Sequence, residues 1–147
     1  MKSLVGELGV ILIGVLIFGY AEVWGEDWKY FSAGDDGIFY WYDAQGVTYQ
    51  SNRIIQVWIK KVKADEIMDM AKGGAKITAS ELEQMTLERN YEQSLIEIDC
   101  VEKTFNHLQK LNYDSKGVLK SGESKHGAKK SIRKNSNAER LYQAVCK

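Results

Sequence analysis

Cys100 and Cys146 are the two thiols of this chain. Paired thiols can exchange electrons, hold a metal or cross-link a fold. Redox exchange favours close spacing such as C-x-x-C, and these cysteines lie far apart in sequence. A zinc site needs further ligands. The two histidines, His107 and His126, stand at no zinc-like spacing to either cysteine. No metal and no cofactor are therefore expected. A structural cross-link is the leading reading, and its strength depends on the redox compartment.

A second group of candidates is basic. The stretch "KHGAKKSIRKN" (125–135) carries Lys125, Lys129, Lys130, Arg133 and Lys134. The last four repeat a basic–basic–gap–gap–basic–basic spacing. Such clusters bind sulfated glycans, phosphates or nucleic acid through point charges and counterion release. The plain alternative is a solvated loop without a partner. No aromatic residue occurs between Tyr113 and Tyr142, so nothing nearby could stack on bases, and nucleic acid is not expected. The carboxylates Asp35, Asp36 and Asp43 lie in "GDDG" and "DAQG". They lack EF-hand spacing and read as turns. "KGGAK" (72–76) lacks the frame of a phosphate-binding loop. Nothing in the sequence marks a catalytic nucleophile with its base, and the reading is of a protein that is not an enzyme.

The compartment is written at the N-terminus. "MKSLVGELGVILIGVLIFGYAEVWGEDW" opens with Lys2, then runs uncharged and mostly apolar over the thirteen residues Leu8 to Tyr20. A spanning helix needs about 20 apolar residues, so this run falls in the range of a secretory signal. Gly19 and Ala21 suit the −3 and −1 positions of a cleavage site, with Val23 and Gly25 as a second option. Residues 1–25 are read as a signal peptide and 26–147 as one domain. The product is expected to be exported, with no membrane span after cleavage. An uncleaved anchor and a core helix are the alternatives; Glu7 is the one odd charge. No cysteine near the cleavage region offers a lipid attachment point. Export favours the disulfide, and two cysteines allow one intramolecular pairing, Cys100 to Cys146.

The bulk composition agrees with one globular domain. The chain has 147 residues, 44% hydrophobic and 27% charged, with eight Tyr, four Trp and no Pro. The aromatics favour β structure, and the absence of Pro argues against a Pro-rich linker to a second domain. The formal charge is zero but unevenly spread. Residues 26–102 hold 8 Lys and Arg against 15 Asp and Glu, a net of −7; residues 103–147 hold 11 against 3, a net of +8. Such asymmetry marks either an interaction surface or two mutually neutralising halves of one fold.

Several elements must position these residues. Strands are expected over Trp28–Ser32, Ile38–Asp43, Arg53–Lys63, Ser94–Val101, Phe105–Tyr113 and Val118–Ser121. Arg53–Lys63 carries Ile55, Val57 and Ile59 on one face and Ile54, Trp58 and Val62 on the other, which suits a central strand covered on both sides. In Ser94–Val101, Ile96, Ile98 and Cys100 share the apolar face. "DSKG" (114–117) suggests a hairpin loop. A short helix is expected over Ser80–Asn90, capped by Ser80 with Glu83. A final helix starts at Ser136 with Glu139 three residues on. Ala138, Leu141, Tyr142, Val145 and Cys146 then form one helical face. About ten residues do not hold a helix alone in water, so this one must dock by that face. A bond from Cys146 to inward-facing Cys100 would pin it.

The segments "WKYFSAGDDGIFYWYD", "RIIQVWIKKV", "LIEIDC" and "AERLYQAVCK", in this order, resemble the surface-adhesin protein E domain family. The likeness runs from about Trp28 to Lys147. It implies an α+β fold: an antiparallel sheet of about six strands with a C-terminal helix tied to one face by the Cys100–Cys146 disulfide. It also implies export to the periplasm or outer cell surface of a Gram-negative bacterium, adhesin-like contact with host matrix glycoproteins, and a capacity to form a homodimer; the basic cluster adds a sulfated glycan as a partner. The chain departs from the family pattern in lacking prolines before the last helix and in its lysine-rich 125–134 stretch. The function expected is an exported, non-enzymatic binding domain presenting the basic loop. The alternative is a periplasmic structural or envelope-assembly module with no host ligand.

Overall fold

The computed structural model describes residues 26–34, 36–124 and 127–147. The signal-peptide reading of residues 1–25, together with Asp35, Lys125 and His126, lies outside the described residues. The elements run β1 (Trp28–Ala33), β2 (Ile38–Asp43), β3 (Thr48–Tyr49), β4 (Ile54–Lys63), α1 (Asp65–Lys72), α2 (Ala79–Thr86), β5 (Tyr91–Asp99), β6 (Thr104–Tyr113), β7 (Leu119–Ser124), β8 (Lys130–Ser131) and α3 (Asn137–Val145). The sheet follows the path β1-β2-β4-β5-β6-β7, with β3 added to β4 and β8 added to β6. Every pairing is antiparallel. The fold is α+β, with a six-strand path and a C-terminal helix bonded to it, as the sequence led us to expect.

Period-two alternation gives the sheet two apolar faces. On one, Phe39, Trp41 and Val62 are buried beneath Ile67 of α1 and Leu82 of α2. On the other, Ile55, Val57, Ile59, Ile96 and Ile98 are buried with Leu141 and Val145 of α3. Strand β4 thus feeds both cores, as its two-sided pattern requires. Cys100 lies against the second core and is bonded to Cys146, 46 residues later in the chain.

Helix α3 is fastened at both ends. At its C-terminal end stands the disulfide, and the Tyr142 hydroxyl donates to the Cys100 carbonyl at 3.0 Å. At its N-terminal end, the Ser32 hydroxyl donates to Asn137 Oδ1 and accepts from Arg140 Nη1 at 2.9 Å. Ser136 Oγ caps the helix by accepting from the Glu139 N–H at 3.2 Å. The Glu139 carboxylate reaches back to the Asn135 N–H at 2.6 Å instead of to Ser136, so only half of the expected capping box forms.

Two local expectations need correction. Helix α1 was not anticipated. Its residues continue the charged run "KKVKADE", and Ile67 is the one side chain it buries fully. The cap of α2 is Thr78 with Glu81, a reciprocal capping box, not Ser80 with Glu83. "TASELE" contains both overlapping patterns. The first wins because it places Ile77 just before the cap and Leu82 at the fourth helical position, the spacing of a hydrophobic staple. Both residues join the core under α1 and α2.

Candidate functional site

The basic segment is less of a loop than its composition suggests. Lys130 and Ser131 pair with Phe105 and Thr104 of β6. The Ile132 N–H donates to the Lys103 carbonyl at 2.9 Å, and the Ile132 side chain joins the α3 core. Asn135 then adopts a left-handed φ of 62°, a conformation Asn tolerates better than most residues, and the chain enters α3. Lys129, Lys130, Arg133 and Lys134 are all exposed on this fixed backbone. Lys130, opposite Phe105, belongs to the face that α3 covers, whereas Lys129 alternates away from it.

The other carboxylate and glycine candidates hold turns. Asp43 is buried, and its Oδ1 accepts from the N–H groups of Asp27 at 2.9 Å and Gln45 at 3.2 Å. Asp36 accepts from the Ile38 N–H at 3.3 Å. Gly73 and Gly74 of "KGGAK" terminate α1. In the aromatic block Phe39 and Trp41 are core and Tyr30 is exposed. Among the described residues no group of three or more His, Cys, Asp or Glu could hold a metal ion. No helix among them is long and apolar enough to cross a membrane.

The sequence reading missed a second candidate, on the part of the sheet that α3 leaves open. Strand register lays out this face in rows. Ile55, Ile98 and Phe105 lie in one; Ile59, Ser94 and Lys110 in another; Tyr40, Lys61, Glu92 and Asn112 in a third. The rows grade from apolar, beneath α3, to charged. A bulge at Leu108, where Leu95 pairs with Gln109 but Ile96 pairs with His107, lets His107 and Lys110 occupy the same face. Between the first turn of α3 and the sheet lies a cavity of about 170 Å³. Ile59, Ile96, Phe105 and Leu141 line it, with Tyr40, Lys61, His107 and Asn137 among its polar groups.

The charges here are interleaved. Glu92 accepts ion pairs from both Lys61 at 3.6 Å and Lys110 at 3.2 Å, and Glu123 stands opposite Lys110 in the register. Burial first, then the charges of Lys61 and Lys130, hold His107 below its ordinary pKa, so its imidazole is neutral at pH 7. Burial, with Asp36 adding to it, raises the Tyr40 phenol, which stays protonated. Both histidines were visible in the sequence. The meeting of His107 with Lys61 and Tyr40 was not, because the three residues come from three different strands.

No family model, no curated protein and no solved structure matches this chain.

Proposed function

We propose that this protein is a non-enzymatic binding domain that works outside the cytoplasm, of the surface-adhesin protein E type. Its contact surface is the basic segment Lys129, Lys130, Arg133 and Lys134, with Lys125 beside it in sequence. Its partner is a sulfated glycan or an acidic protein surface. The observation that carries this reading is the anchoring of the segment. Exposed cations stand on a backbone fixed by β8, by half-buried Ile132 and by the disulfide-tied helix that follows. Cations held in place before contact forfeit less conformational entropy on binding than cations on a free loop. The disulfide also suits an oxidising compartment.

Heparin affinity chromatography tests the proposal. Replacing Lys129, Lys130, Arg133 and Lys134 together by Ala should move elution to clearly lower salt while leaving thermal unfolding unchanged. Elution at the same salt as the parent protein rejects the segment as the contact surface. Protease shaving of intact cells then separates a surface adhesin from a wholly periplasmic module. The homodimer is part of the same proposal, along β7, whose six residues are all exposed and which, among the described residues, pairs on one side only. A single monomer peak in sedimentation velocity removes that part.

A further inference from the structure

We propose that the cavity beneath the first turn of α3 is a binding site for a small organic carboxylate with a compact apolar body, an aromatic acid being the best fit. Size comes first. A cavity of roughly 150 Å³ lined by aliphatic and aromatic side chains accommodates benzene, and this one measures about 170 Å³. The walls fit the apolar part: Ile59, Ile96, Phe105 and Leu141 present hydrocarbon surface. Only a compact apolar group fits within this half-open space, and inorganic phosphate would strand its oxygens against those walls.

Charge then selects the head group. Lys61 lines the cavity and is the more distant of the two lysines on Glu92, at 3.6 Å against 3.2 Å for Lys110, so its ammonium keeps donors free for a carboxylate. The His107 imidazole and the Asn137 amide supply neutral hydrogen-bonding groups on the same cavity. Tyr40 pairs with Lys61 in the strand register and adds a phenol. A carboxylate accepting from Lys61 gains a charge-assisted hydrogen bond that an alcohol of the same shape cannot form. The inference goes beyond the glycan reading. None of Lys129, Lys130, Arg133 and Lys134 lines the cavity, so each proposal stands or fails alone.

The test is a titration of the oxidised full chain with benzoate, followed by amide and methyl NMR, with benzyl alcohol as the uncharged control. The expected result is saturable shifts at Ile59, Lys61, Ile96, Phe105 and Ala138, with benzyl alcohol binding about tenfold or more weakly. Lys61→Met should weaken benzoate by about tenfold and leave benzyl alcohol unchanged. Ala138→Met, at a half-buried position on the cavity wall, should abolish both without moving the thermal midpoint. Absence of saturable binding, shifts confined to another surface, or equal affinity for the acid and the alcohol overturns the proposal.

Discussion

The two faces of the sheet are closed by helices held in different ways. Helices α1 and α2 lie in the connection between β4 and β5, which pair with each other in register. Chain held in a strand at both ends keeps them over Phe39, Trp41 and Val62 with no covalent tie of their own. Among the described residues helix α3 has a strand-paired segment on its N-terminal side, and its nine residues are too few to be helical alone. Its other end is held by Cys146. The comparison teaches that the disulfide does for α3 what a flanking strand does for α1 and α2: it supplies a second fixed end.

Removing that tie is the sharpest way to break the comparison. Closing a loop of 46 residues restricts the unfolded chain by roughly 4 kcal/mol on the chain-entropy account. Cys100→Ser with Cys146→Ser should lower the denaturant-unfolding free energy by up to about that amount. Hydrogen exchange should quicken most in α3 and around Ile132. Uniform acceleration across both faces would show that the bond does not serve α3 in particular.

Core truncations come next. Ile67→Ala beneath α1 and Leu141→Ala beneath α3 remove buried side chains of equal size, exposed 1% and 3%. Each should cost roughly 3 kcal/mol in the oxidised protein. In the protein lacking the disulfide, Ile67→Ala should keep its full cost, whereas Leu141→Ala should lose part of it, because a frayed helix no longer buries the residue. Equal costs in both backgrounds would mean that α3 docks without its tie.

The last prediction changes the shape of a pH curve. Asp99 ends β5 and organises the turn that presents Cys100. Its carboxylate accepts from Arg53 Nε at 3.1 Å and from the N–H groups of Val101 at 3.0 Å and Glu102 at 2.9 Å. Arg53 first, and the Glu102 N–H second, hold its pKa below the usual carboxylate range. Its contribution to stability is complete above the unfolded-state value and disappears as pH falls through the lower folded value. Urea unfolding should therefore show a loss of stability in acid that Asp99→Asn reduces. A loss of the same size in the variant would assign the acid sensitivity to other groups, such as Asp114. Backbone N–H groups of Val118 and Lys116 likewise lower that carboxyl.

Much of the sheet could be read from the chain because alternation is a local signal. "RIIQVWIKKV" announces a strand buried on both sides, and "LIEIDC" places Cys100 among apolar neighbours. The helix "NAERLYQAV" was equally open, through its spacing of Ala138, Leu141 and Val145. Helix α1 was harder because it buries so little, although Asp65 and Glu66 in its first turn and Lys72 in its last match the helix dipole. Among the basic residues, composition alone could not tell a free loop from an anchored one. Pairing of Lys130 with Phe105 is a contact across 25 residues of sequence, and no local pattern encodes it. The cavity was less accessible still. It lies between the first turn of α3 and side chains from β1, β2, β4, β5 and β6, and no local pattern brings these together.

The placement of Cys146 also orders events in time. Synthesis runs from the N-terminus, so Cys100 is made 46 residues before the thiol it will join. Throughout the making of β6, β7 and β8 it has no intramolecular partner, exposed to whatever oxidant or carrier thiol it meets. A chain cut short anywhere before the final helix can never close the bond. The cross-link therefore records progress: an oxidised monomer has been synthesised at least as far as Cys146.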